Sequence, residues 1–209
     1  MRHSFLALFL TLLVSGLSAA WGQGVHFKFG PIGGINSTVV QTNIPNFNNQ
    51  ASANFNQASE NGYFFGAFGR LEIGRVYIQP EAMFNSKLSS ISGDINSGGN
   101  YNVKFNFTAY DLNLLLGYDF AKVREIANFR GFAGVGESFL TNTTLTSNGL
   151  NLPSPNLNNG SANGIVGIGF DVLKFTADLR VEHSFSDLYT GSSKVSATVF
   201  MLTVGLKFL

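Results

Sequence analysis

The strongest constraint on how this chain can fold is a two-residue rhythm, clearest at its end. In residues 195–209 (VSATVFMLTVGLKFL), Phe200, Leu202, Val204, Leu206 and Phe208 alternate with Met201, Thr203, Gly205 and Lys207. Side chains two apart share a face of an extended strand, so this is a ribbon with one oily side and one small or polar side. An oily stripe at a chain end predicts that the end is built into a sheet. A barrel that joins its first strand to its last removes both sheet edges at once.

The same rhythm recurs from Val25 onward, interrupted by segments rich in Gly, Asn and Ser. It predicts strands over residues 25–38, 62–73, 76–90, 101–120, 129–142, 161–172, 175–188 and 195–209. Residues 41–61 hold seven Asn and one charge with no usable period, which predicts a mobile loop containing Phe47 and Phe55. Residues 91–100, 143–159 and 189–194 predict three further long loops, and short turns are expected at Gly74-Arg75, residues 121–128 and Leu173-Lys174. Pro80 cannot donate to a ladder and marks a bulge or a local break in the third strand.

Eight strands with connections alternating long and short put both termini and all the short turns at one end. That asymmetry, with amphipathic strands of about ten residues or more, is the pattern of an eight-stranded, antiparallel, up-and-down transmembrane β-barrel. Charge placement agrees. Charged residues are only 12% of the chain, against about 25% in ordinary soluble domains. Arg70, Glu72, Glu81, Lys87, Asp111, Asp171, Asp178, Arg180, Glu182 and Lys207 all fall on the non-oily faces. Lys104, Arg130 and His183 are the polar exceptions expected on the oily side, where the glycines at 131, 134 and 136 blur the faces of strand five. A soluble barrel would have the reverse polarity. Within so narrow a barrel the opposed acids and bases are expected to pair and plug the interior, with inward glycines making room. Tyr118, Phe120, Phe175 and Phe208 near one end, and Tyr63, Tyr110 and Phe185 near the other, are expected as interfacial girdles.

Residues 1–20 read separately. Arg2 and His3 precede an apolar run over 5–14, and Ser18, Ala19 and Ala20 supply the small residues of a cleavage site. This predicts a cleaved secretory signal peptide over 1–20, cut after Ala20 or alternatively after Gly22, with a barrel domain over 21–209. The apolar run is shorter than the ~20 residues of a spanning helix. A net charge of +1 offers no footprint for nucleic acid. The lack of Cys excludes disulfides, thiolate metal sites and Cys nucleophiles.

Several segments together resemble the PorT-like outer-membrane β-barrel domain family of Bacteroidetes-type outer membranes. They are GYFFGAFGRLEIGRVYIQPEAMFNSKL, YDLNLLLGYDF, FRGFAGVGESFL, NGIVGIGFDVLKFTADLRVEHSFSDL and the closing LTVGLKFL, with Gln79-Pro80-Glu81 the most specific step. The resemblance implies an outer-membrane barrel whose domain is seldom assigned a reaction. Two departures stand out: no proline occurs at or beside Leu114, and the expected terminal aromatic is the penultimate Phe208, followed by Leu209.

Candidate sites are few. Asp178, Arg180 and Glu182 with Arg70, Glu72 and Glu81 form the densest constellation, read as a salt-bridge plug or, alternatively, a narrow ion path. Glu182-His183-Ser184 invites a hydrolase reading, but neighbours in a strand point to opposite faces, so His183 and Ser184 cannot act as a local pair. Asn36, Asn142 and Asn159 begin glycosylation-like triplets read as chance matches. No catalytic, cofactor or metal residues are assigned. The expected function is that of a non-enzymatic scaffold in the cell outer membrane presenting four outer loops. Alternatives are an accessory subunit of a secretion or transport machine and a barrel-wall lipid hydrolase. Expected partners are outer-membrane lipid, the barrel assembly machinery through the C-terminal strand, and such a secretion or transport complex.

Overall fold

A computed structural model of the chain describes residues 25–42, 51–95, 99–123, 126–148, 160–185 and 195–208. The expected signal peptide and Phe47 lie outside these residues. Eight strands follow in order: β1 (Val25–Thr42), β2 (Ala51–Ile73), β3 (Val76–Ile95), β4 (Gly99–Val123), β5 (Ala127–Asn148), β6 (Gly160–Val172), β7 (Phe175–Ser184) and β8 (Val195–Leu206). Each pairs antiparallel with the next, and β8 returns to β1, so the sheet closes as an up-and-down barrel. The closing strand meets the first one as expected, with Leu202 opposite Ile35.

Register sets the shape. Starting at Val25, successive partners are Ile73, Val76, Tyr118, Gly131, Ile168, Leu179 and Leu202, and the circuit returns to β1 at Ile35, ten residues further along. With a rise of ~3.3 Å per residue and strands ~4.8 Å apart, that stagger tilts eight strands by about 40° from the barrel axis. Two of the short turns have a left-handed first residue, Gly74 at φ 64° and Leu173 at φ 52°. Glycine adopts this conformation freely; leucine adopts it at some cost. Between Phe68·Glu81 and Leu71·Ile78 the β2–β3 register is unchanged but pairing lapses opposite Pro80, the local break its missing N–H predicts.

The strand faces divide as the alternation requires. Phe65, Leu116, Val166, Ile168, Leu179, Phe200 and Val204 are exposed on the outside, while Arg70, Glu81, Asp111, Asp171, Asp178 and Arg180 are buried within. Aromatic rings gather at both ends of the outer face. Phe27, Phe29 and Phe208 form one contact chain near the short turns, and Tyr118, Phe120 and Phe129 a second. Phe65, Phe84 and Tyr110 touch at the opposite end.

Two expectations need correction. Strands β2 to β5 run well past their oily stretches: residues 51–61, 91–95, 99–100 and 143–148 are strand, so Phe55 lies in β2 opposite Gly93 and not in a loop. Beyond the lipid neither face needs to be oily, so alternation stops while the backbone ladder continues. At the other extreme β7 ends at Ser184, and the expected strand positions 186–188 lie outside the described residues. The second correction concerns Arg130, taken up below.

Candidate functional site in the barrel lumen

The interior is occupied by side chains contributed by every strand. Its organising residue is Arg130 of β5, which is fully buried. Alternation predicts the oily face for it, but Phe129 points outward and Arg130 inward. Glycines at 131, 134 and 136 leave that strand without a hydrophobic side from which to read its parity. Its register partners carried the missing signal: Asp119 on one side and Gly169 on the other. A Cβ on Gly169 would lie 2.5 Å from both the Arg130 Cζ and an Asp178 oxygen, so glycine there makes the space the guanidinium fills.

A closed circuit of hydrogen bonds runs through the lower lumen. Arg130 donates through Nε to Asp171 at 3.3 Å, and Asp171 accepts from Arg70 Nη1 at 2.7 Å. Arg70 Nε donates to Gln79 at 2.6 Å, and Gln79 Nε2 donates to Glu81 at 2.7 Å. Glu81 takes two bonds from Arg180, at 2.7 and 3.2 Å, and Arg180 also donates to Asp178 at 2.8 Å. Asp178 accepts from Arg130, which completes the ring. Arg130 further donates to the Tyr77 hydroxyl at 3.1 Å and to Thr176 at 2.6 Å, while Lys207 pairs with Asp171 at 3.1 Å. Lys28 pairs with Glu72 at 2.9 Å.

Aromatic rings interleave with the guanidiniums. Arg70 lies 5.5 Å from the Phe68 ring and 4.9 Å from Tyr77; Arg130 lies 5.7 Å from Tyr77 and 5.6 Å from Phe132; Arg180 lies 5.4 Å from Phe132. Each cation therefore meets both carboxylates and negative ring faces, which replace part of the hydration lost on burial. Above this layer sit apolar side chains, Phe64, Met83, Val199 and Met201 on one side and Leu115 and Ile165 on another. Nearer the long-connection end the lining turns to amides and hydroxyls. Asn36 donates to Asn85 at 2.7 Å, Asn85 donates to Asp111 at 2.8 Å, and Asn163 donates to Ser138 at 2.8 Å.

The sequence-derived candidates are thus placed. Arg70, Glu81, Asp178 and Arg180 converge in one network, and Glu72, Asp111, Asp171, Glu182 and Lys207 are buried within the same lumen. The side chains of Lys87 and Lys104 lie outside the described set. His183 faces outward, with Nδ1 2.9 Å from the Thr198 hydroxyl, whereas Ser184 faces inward with its hydroxyl 2.5 Å from that of Ser161. Asn36 is buried, which removes it as a glycan acceptor. Glu137, missed in the alternation, lies on the outer face between Leu112 and Ala162. Strands β2, β4, β7 and β8, where oily side chains dominate one face, place their inward charges as alternation predicts.

An apolar exterior ringed by aromatics around a charge-filled interior defines a transmembrane β-barrel of outer-membrane type. The outer membrane protein beta-barrel domain family matches residues 21–190, and the chain belongs to that family. No curated protein matches it in sequence. Among solved structures it is similar to the outer membrane protein OprG from Pseudomonas aeruginosa, at 14% identity and a TM-score of 0.51, covering 89% of this chain and 98% of that one. It is also similar to Ail, the attachment invasion locus protein of Yersinia pestis, at 14% identity and 0.44, covering 88% and 99%. Neisserial surface protein A aligns at 8% identity and 0.43, covering 89% and 100%. The likeness to OprG is one of fold. The protein is an outer-membrane barrel.

Proposed function

We propose that this barrel is a non-enzymatic scaffold that holds its outer strands and loops above the membrane on a lumen closed to solutes. The observation that carries this reading is the ring through Arg130, Asp171, Arg70, Gln79, Glu81, Arg180 and Asp178, which joins β2, β3, β5, β6 and β7 across the interior. A conducting pore needs a water-filled path, and these side chains occupy the space where it would run. The opposite orientations of His183 and Ser184 speak against a wall hydrolase.

The test is release of a small sugar and of chloride from vesicles carrying the reconstituted protein. Release no faster than from protein-free vesicles is expected; stepwise conductance or rapid sugar loss would overturn the reading. A band whose mobility shifts on boiling reports that the barrel is folded in the same sample.

A second reading, membership of a secretion or transport machine, rests on the PorT-like motif Gln79-Pro80-Glu81 and its neighbours. Co-purification of machine components with the membrane-extracted protein would favour it. The closing strand is the proposed contact for the assembly machinery, with Phe208 exposed at its end. Deleting Phe208 and Leu209 is expected to leave export intact and impair membrane insertion; normal insertion would refute that role.

A further inference from the structure

The short-turn end of the barrel is a braced collar. Its three connections are Gly74-Arg75, residues 124–126 and Leu173-Lys174. Backbone hydrogen bonds tie them to one another and to the neighbouring strands. Asp119 donates to the Arg75 carbonyl at 2.8 Å, Leu173 to that of Ile126 at 2.8 Å, and Lys207 to that of Lys174 at 2.6 Å. The Lys122 ammonium donates to the Gly74 carbonyl at 3.1 Å. Side chains at the turn tips are therefore presented on a stiff frame.

Basic and apolar side chains adjoin along that collar. Arg75 is exposed beside Val76, Lys122 beside Val123, and Lys174 between Leu173 and Phe175, and these apolar neighbours are exposed too. The described acids at this end are buried and paired: Glu72 with Lys28, Asp119 with Lys122, and Asp171 with Arg70 and Lys207. The side chains of Arg75 and Lys174 make no ion pair or hydrogen bond among the described residues. Arg124 and Glu125, outside the described residues, cancel in formal charge. The charge that the described rim turns outward is thus positive.

Leu173 is an independent sign. The two-residue turns both open on a left-handed residue, Gly74 at φ 64° in one and Leu173 at φ 52° in the other. A leucine Cβ crowds the backbone there, and glycine has none. The Leu173 side chain is 63% exposed, so packing within the protein does not offset that strain. Transfer of the side chain from water into an apolar layer does.

We propose that this collar binds anionic phospholipid of the inner leaflet, with phosphates at Arg75 and Lys174 and acyl chains against Val76, Leu173 and Phe175. Short turns of outer-membrane barrels face the periplasm, which sets the collar in the headgroup layer of that leaflet. Each of these cations is one residue from an exposed apolar side chain, and a two-residue turn does not lift it clear of the lipid. A soluble acidic partner fits less well, because it has no place for Leu173 and Phe175 beside the cations. A cation at a membrane surface favours anionic lipid roughly fivefold.

The inference is independent of whether the lumen conducts. The test uses the full protein in phosphatidylcholine bilayers, with spin-labelled phosphatidylglycerol or phosphatidylcholine of the same chain length as the probe. Immobilised phosphatidylglycerol is expected to be favoured roughly tenfold at the collar. That preference is expected to fall close to unity in 1 M salt and in the double variant Arg75→Gln/Lys174→Gln, and to survive in Arg75→Lys/Lys174→Arg. Leu173→Gly, which relieves the strain and leaves both charges, is expected to weaken phosphatidylglycerol retention roughly threefold. Equal retention of the two lipids by wild type overturns the proposal, as does a preference that persists in 1 M salt or in the neutral double variant. Undiminished retention by Leu173→Gly overturns it as well. A polyglutamate peptide that binds wild type while phosphatidylglycerol is not preferred would assign the rim to an acidic polypeptide instead. The boiling shift reports that each variant is folded. Lost lipid preference in a barrel that holds its vesicles tight sinks this proposal alone, and leakage sinks the scaffold reading.

Discussion

The two faces of each strand obey different rules, although they alternate residue by residue. Outside, Val166, Ile168, Leu179 and Leu202 are interchangeable in kind, because fluid hydrocarbon adapts to whatever apolar shape meets it. Inside, Arg130 has a specific partner for each guanidinium nitrogen, and Gly169 stands opposite to admit it. One face is set by transfer free energy and the other by geometry. The outer face should therefore tolerate any oil but, at the membrane midplane, little charge, and the inner face should tolerate neither the loss nor the enlargement of its members.

The largest expected effect comes from removing the centre of the inner face. Arg130→Met leaves Asp171 and Asp178 facing each other without their shared cation, and breaking such a buried arrangement costs about 3–5 kcal/mol. Urea unfolding in lipid vesicles measures it, and an unchanged midpoint would mean the network is ornamental. Next is a charge on the other face. Val166→Arg, midway along β6, is expected to cost ~2–4 kcal/mol, whereas Tyr110→Arg at the outer girdle costs ~0–1 kcal/mol. Equal penalties would show that the outer face is not graded by membrane depth. Smaller still is overpacking. A Cβ at Gly117 overlaps the Tyr77 ring, so Gly117→Ala is expected to cost about 1–3 kcal/mol as that ring moves off Arg130. Weakening without a change in lipid binding would confirm that the cost arises inside. Least of all, His183→Ala is expected to change stability by under ~0.5 kcal/mol and to leave lipid composition unaltered. Altered lipid A or phospholipid profiles in cells carrying it would revive the hydrolase reading.

Much of the barrel was legible because lipid favours an oily stripe on the outer face of a strand that crosses it. β2, β4, β7 and β8 carry such stripes, and their inward charges followed without error. β5 does not, since glycines replace side chains on both faces, and its parity could be recovered only from its neighbours Asp119 and Gly169. The outward reach of β2 to β5 was illegible for a related reason. Past the membrane surface Asn, Ser and Thr are at ease on either face, so nothing in the pattern separates a solvated strand from a loop. The network could be located on the lumen but its wiring could not, because which acid meets which base depends on tilt and stagger that no single strand encodes.

The pairing of Leu202 with Ile35 has a consequence for the order of events in folding. The neighbouring hairpins can zip locally, but this last seam joins residues that are nearly the whole barrel apart in sequence. Closing so large a loop carries an entropic cost of about 4–5 kcal/mol by the logarithmic law, so it is expected to form late and slowly. Until it forms, β1 and β8 are two unsatisfied edges facing hydrocarbon. The final dozen residues are therefore the latch of a hoop, and the chain cannot be stable in lipid at any stage before that latch is made.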